Sequence, residues 1–228
     1  MTALEKNRSN TNSTLTDTYR HFSNLLDWNI LLNCLMNLEN SLQFLSEIDK
    51  LKDTYRQCLV MSGEREENTA EHSFSLAMAA MTLGSFSNEP IDLSKTIKMA
   101  LCHDIVEVYA GDKFHYHKDE AENLEDDEAE ALKKVLEPIC DSDLAKEITQ
   151  IWNEFEKGDT PESRFLRGID RFLPMFHNYK TKGYSWIKHG VTKEQALEKN
   201  SHIELSSSEV WKFTKKMLDE SKEKGWIN

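Results

Sequence analysis

The chain lacks any run of lysines and arginines, and that shortage bounds its partners. Of its 228 residues, 40 are acidic and 28 basic, a formal charge of −12. Such a surface repels a phosphate backbone, so nucleic acid polymers are not expected partners. Cysteine is sparse too: Cys34, Cys58, Cys102 and Cys140 stand far apart with no CxxC pair. That excludes the dense disulfide framework of small secreted domains and reads as reduced, buried thiols. No stretch approaches the ~18 consecutive apolar residues of a membrane span. The polar opening "MTALEKNRSNTNSTLTD" lacks the apolar core of a secretory signal, which gives a cytoplasmic expectation with no membrane partner. Also missing are an internal repeat, a glycine-rich or lysine-rich phosphate loop, and any alternating segment of strand length.

What is present is helical periodicity. Residues 1–14, rich in Ser, Thr and Asn, read as a mobile segment, and residues 15–228 as one domain. Apolar residues recur at helical spacing through roughly 20–60, with Leu42, Leu45, Ile48 and Leu51 as one stripe. In "ENTAEHSFSLAMAAMTLG", Asn68 can cap a helix while Glu71 reaches back, Phe74, Ala77, Met78 and Met81 mark a face, and Gly84 ends it. Ser94 can cap the following helix and Gly111 close it in the left-handed region. "KDEAENLEDDEAEALKK" reads as a solvated loop turning into a helix. Asp141 or Ser142 caps a helix that stops at Gly158; Thr160 and Pro161 open another that Pro174 is expected to kink. "TKEQALEKN" and "SSSEVWKFTKKMLDESKEKG" read as two C-terminal helices. The expectation is an all-α fold of about eight helices around one core.

Chemistry must then come from facing helices. "ALCHDIVEVYAGD" sets His103, Asp104 and Glu107 on one patch, since positions three and four apart share a helix face, beside an apolar stripe of Ile97, Leu101, Ile105 and Val108. A polar stripe on a surface helix is the plainer reading of that patch, and a metal site the sharper one. His72 sits in the first turn of an apolar helix, where a hydrogen-bonded core histidine is the ordinary alternative to a ligand. Asp170 stands among Leu166, Ile169, Leu173 and Pro174. A carboxylate there costs several kcal/mol of desolvation unless something positive faces it. Two imidazoles and two carboxylates converging from three helices would suit a divalent transition metal, although spacing alone does not establish convergence.

The ordered set "EHSFSLAMAAM", "ALCHDIVEVYAGD" and "RGIDRF" resembles the H…HD…D signature of the HD-domain metal-dependent phosphohydrolases, and more closely their 5′-deoxynucleotidase-like branch. The resemblance runs from about residue 40 to the C-terminus. It implies His72, His103, Asp104 and Asp170 as ligands of one divalent metal (Mn, Co, Fe, Ni or Zn), with Glu107 beside the water. It further implies Arg56 as the contact to the substrate phosphate, with Arg65 the local rival. Asp112, after Gly111, would bind the sugar hydroxyl or, with Glu107, a second divalent ion. Family members tend to follow the arginine with tryptophan; Gln57 stands there instead, which puts sugar discrimination in question.

The expected activity is hydrolysis of (deoxy)nucleoside 5′-monophosphates, with Glu107, Asp112 and Arg56 as the catalytic and substrate-binding set. Other HD-type reactions, on cyclic nucleotides, nucleoside triphosphates or guanosine alarmones, stay open, as does a non-catalytic protein that keeps the metal for folding. Family members often pair, so a homodimer is expected.

Overall fold

A computed structural model of the chain describes residues 38–112 and 124–228. The expectations for residues 1–37, the mobile segment among them, and for 113–123 lie outside the described residues. By internal contacts the chain divides after Gln43, and residues 44–228 form one compact unit.

The all-α expectation holds, with one departure among the described residues. Helix α1 covers 38–49 and passes through a 3-10 turn, Lys50–Asp53. The helical reading to residue 60 then fails. Tyr55–Leu59 is strand β1, paired antiparallel with β2, Glu66–Asn68, in a two-stranded ribbon. Its periodicity is hidden because no face of β1 is uniformly buried; only Cys58 is fully enclosed.

Helix α2, Thr69–Leu83, starts at the expected capping box: Asn68 accepts from the Glu71 N–H and the Glu71 carboxylate accepts from the Asn68 N–H. The face expected from Phe74, Met78 and Met81 is wrong. Those three are exposed, while Thr69, His72, Ser73, Leu76, Ala77, Ala79 and Ala80 point inward. Leu42 and Leu45 are likewise exposed, and of their stripe only Leu51 is fully buried.

Helix α3, Leu93–Cys102, is capped by Asp92, whose side chain accepts from the Lys95 N–H, and not by Ser94. It ends earlier than expected. Residues 103–106 form tight turns in which the N–H groups of Ile105, Glu107 and Val108 bond to carbonyls three residues back. A short helix α4, Glu107–Ala110, follows. Of the expected stripe, Ile105 is buried and Ile97 and Val108 are partly buried against the core; only Leu101 is exposed, and Thr96, Met99 and Ala100 complete the inward face. Gly111, at φ 71° and ψ 162°, is positive in φ but outside the left-handed helical region; this conformation is essentially reserved for glycine and turns the chain toward Asp112.

Helix α5, Leu124–Leu136, is followed by a 3-10 turn, Glu137–Ile139, and by α6, Asp143–Lys157, capped by Ser142 and closed by a left-handed Gly158. Helix α7, Pro161–Lys180, has the predicted Thr160 cap and first-position proline, and it continues through Pro174. Four helices complete the chain: α8 Tyr184–Lys188, α9 Lys193–Lys199, α10 Ile203–Ser206 and α11 Ser208–Glu223. Of these, α9 and α11 are the two C-terminal helices expected from the sequence.

Two apolar clusters hold the site helices. One joins α2, α3 and α7 through Leu76, Met99, Phe165, Leu166 and Ile169 to Trp186 and Leu218; the other packs α5 and α6 under Leu51, Ile105 and Val106. Gly168 is where α7 meets α10: a Cβ there would lie 2.1 Å from Ser206 Oγ, so only glycine permits the approach.

Candidate metal centre

His72 leaves the first turn of α2 fully buried, with Nε2 2.9 Å from Asp170 Oδ1 on α7 and 3.8 Å from Asp104 Oδ2. His103 and Asp104 occupy the turn after α3. His103 Nδ1 lies 3.0 Å from the Ala100 carbonyl, which makes that nitrogen the donor and aims Nε2 inward. That Nε2 is 3.0 Å from Asp104 Oδ2 and 3.8 Å from Asp170 Oδ1, yet is not aligned to hydrogen-bond to either. The two imidazoles stand 5.5 Å apart. The ligand atoms of His72, His103 and Asp104 all fall within 4.8 Å of one another. The structure therefore brings together the four residues singled out from the sequence.

Arg56 reaches in from β1. Its Nη1 lies 3.0 Å from Asp104 Oδ2 and 3.8 Å from both Glu107 Oε1 and Asp112 Oδ1. Glu107 is fixed on its other oxygen by Thr69 Oγ1, which donates at 2.6 Å. Arg65, the rival, faces away and pairs with Glu71 through both guanidinium nitrogens. Gln57 accepts from Lys188 Nζ at 3.2 Å on the rim.

The electrostatics ask for a cation. Glu67, Asp104, Glu107, Asp112 and Asp170 crowd around the guanidinium of Arg56 and two imidazoles, with Arg171 reaching only Asp170 from the edge and His177 facing Glu67. Burial first, and then the charges of Asp104 and Asp112, hold Glu107 well above the usual carboxylate range against the pull of Arg56 and the Thr69 hydrogen bond. Asp112 is raised as well, by burial first. Burial also opposes the Asp104 carboxylate, but the charge and contact of His103, with Arg56 and His72, bring it down to about 2. His103 shows the same demand from the other side. Burial disfavours its charge, yet Asp104 and Asp170 hold its pKa up to about 10. A buried proton thus stands where two carboxylates seek positive charge, and His103 Nε2 has no aligned partner. This donor set of nitrogen and carboxylate oxygen fits a divalent transition metal.

A cavity of about 240 Å³ opens over these groups, lined by Asp104, Glu107, Asp112 and Asp170 together with Arg171, Met175 and Trp186. Three contributors were not singled out from the sequence. Thr69 was read only as part of a helix start. Arg171 borders the site with Nε 3.8 Å from Asp170 Oδ2. Glu67, 2% exposed, lies behind His72; a glutamate directly before a helix cap was its only signal.

Residues 48–211 match the family model described as HD domain. The chain is 30% identical over 145 residues to 5′-deoxynucleotidase hdd1 of Schizosaccharomyces pombe, a match covering 60% of this chain and 71% of that one. To 5′-deoxynucleotidase HDDC2 of Homo sapiens it is 28% identical over 131 residues, covering 57% of this chain and 62% of the relative. Among solved structures, a predicted metal-dependent phosphohydrolase from Magnetospirillum magnetotacticum superposes with a TM-score of 0.78 at 35% identity, covering 83% of this chain and 95% of that one.

Proposed function

We propose, from the premise that the chain belongs to the HD-domain family and is a metal-dependent phosphohydrolase, that it hydrolyses (deoxy)nucleoside 5′-monophosphates to nucleoside and phosphate. In this reading His72, His103, Asp104 and Asp170 hold one divalent ion. When bound, such an ion polarises a phosphoryl oxygen and lowers the pKa of water. The chain's own groups do the rest. Glu107, held by Thr69, orients a water and takes its proton at a carboxylate oxygen. Arg56, fully protonated among its carboxylates, turns its fork to the phosphoryl oxygens. Because Arg56 already supplies positive charge between Glu107 and Asp112, the reading favours one resident ion and leaves Asp112 for the sugar hydroxyl.

The observation that carries the proposal is the excess of buried carboxylate over positive charge around two inward-facing imidazoles. The relatives named as 5′-deoxynucleotidases supply the substrate class. A tryptophan is missing beside Arg56, where Gln57 is tethered to Lys188. The expected preference for deoxy over ribo sugars is therefore small, and base selectivity weak.

One observation favours a second reading. A neighbouring cavity lined by Arg164, Arg167, Arg171 and Lys199 shares Asp170 and Arg171 with the site, and would suit a substrate with further phosphates. Phosphate release from matched deoxy, ribo, cyclic, di- and triphosphate nucleotides separates the two, with Arg56→Ala as control. Monophosphates should be hydrolysed fastest and lose most efficiency in Arg56→Ala; faster turnover of triphosphates, or an unaffected Arg56→Ala enzyme, contradicts the first reading.

A further inference from the structure

Behind His72 lies a buried group that the proposed chemistry does not use. Glu67 is the middle residue of strand β2, one before the α2 cap Asn68, and its two oxygens meet four side chains. Oε2 is 3.6 Å from His72 Nδ1, 3.5 Å from Cys58 Sγ and 3.9 Å from Arg56 Nε; Oε1 is 3.7 Å from His177 Nδ1. His177 is in turn pinned by the Leu59 carbonyl at 3.1 Å. His72 Nδ1 is buried and has no hydrogen-bond partner, so its nearest acceptor is Glu67.

A neutral imidazole carries one N–H. If the proton sits on Nε2, that nitrogen can donate to Asp170 but cannot ligate; if it sits on Nδ1, it faces Glu67 and the Nε2 lone pair points into the site. Carboxylates behind ligating histidines select the second tautomer and lock the ring. We propose that Glu67 is a positioning residue that sets the tautomer and orientation of His72 for metal binding, and through its Arg56 contact ties the metal ligand to the phosphate-binding arginine. This rests on the reading of His72 as a ligand. Cys58, Glu67 and His177 by themselves have metal-ligating groups within 4.8 Å of one another. His177 Nδ1 is already bonded to the Leu59 carbonyl, however, and Glu67 is the nearest acceptor to His72 Nδ1, so the cluster is assigned as a cradle and not as a second metal site.

The test uses the full chain with cobalt(II) as probe, measuring affinity by calorimetry and ligand geometry by visible absorption. Glu67→Leu should weaken cobalt binding about 100-fold and alter the absorption bands, while Glu67→Gln, which keeps an acceptor oxygen, should weaken it about 10-fold, in the range for such outer partners. Circular dichroism of the metal-free variants checks folding, and Glu67→Gln stands if Glu67→Leu does not fold. Cys58→Ala should leave stoichiometry at one ion. A folded Glu67→Gln or Glu67→Leu protein with wild-type affinity and spectrum overturns the inference alone. Two bound ions, one lost in Cys58→Ala, would make the cluster a second site and overturn it too. No cobalt uptake by the wild-type chain would remove both the inference and the functional reading beneath it.

Discussion

Helices α2 and α6 are each 15 residues long and each begins at a side-chain cap, yet they use their faces in opposite ways. Helix α6 buries Ala145, Ile148, Ile151, Trp152 and Phe155, as its apolar periodicity requires. Helix α2 turns Thr69, His72 and Ser73 inward and leaves Phe74 65% exposed, with Met78 and Met81 beside it. Burying polar groups without water is costly unless they are paired or bind a cation. In α2 the inward hydroxyl of Thr69 holds Glu107 and the inward imidazole faces Asp170, so these two have partners supplied by other elements, whereas Ser73 Oγ is buried without a hydrogen-bond partner. A helix that only supports the fold follows the hydrophobic pattern; a helix that carries the site departs from it where the chemistry sits.

His72→Ala should abolish nearly all phosphatase activity and lower metal content while leaving the fold in place, whereas Ile151→Ala in α6 should cost about 2–5 kcal/mol of stability and leave metal content unchanged. Urea unfolding and metal analysis of both proteins decide it; metal loss in Ile151→Ala at full folding would erase the distinction. Glu107→Ala sharpens it next. As a positioned acid-base group outside the ligand set, its loss should lower kcat by about a hundredfold with the metal retained. Parallel loss of metal would make Glu107 a ligand.

A smaller effect concerns pH. In the metal-free chain the pKa of His103 is raised to about 10 from its ordinary value near 6.5, so the proton is bound in that state across neutral pH. A cation must displace it, so affinity should rise about tenfold per pH unit below that value while one proton is released per ion. Calorimetry in buffers of different ionisation heat reads that proton; a pH-independent affinity between pH 6 and 9 contradicts it. The smallest effect belongs to the outward face of α2: Met78→Gln should change stability by no more than about 0.5 kcal/mol, measured by thermal unfolding. A larger loss would show that this face is covered by a partner copy.

Much of this was legible in the sequence, for identifiable reasons. The caps at Asn68, Ser142 and Thr160 are local chemistry, and each is observed. His72, His103, Asp104 and Asp170 drew notice as titratable groups in apolar surroundings, but it was the resemblance to the HD-domain family that joined them into one set, and the structure gathers them. The strand at Tyr55–Leu59 escaped because a two-stranded ribbon buries no full face, and pairing with Glu66–Asn68 depends on residues several positions away. The outward turn of Phe74, Met78 and Met81 escaped because periodicity counts apolar residues and cannot know that α2 faces α7 with its histidine. Glu67 escaped for the same reason: its four neighbours come from β1, α2 and α7.

One ion held by four side chains is the centre of the proposed chemistry, and Asp104 tests it most directly because it lies against Arg56, His72 and His103 at once. Metal content and phosphate release from a deoxynucleoside monophosphate are to be measured together on wild-type and Asp104→Ala protein, before and after chelation and reloading. One ion per wild-type chain is predicted, with activity lost on chelation and restored on reloading, and an Asp104→Ala protein without bound metal and nearly without activity. Full activity in a metal-free Asp104→Ala protein would contradict the account.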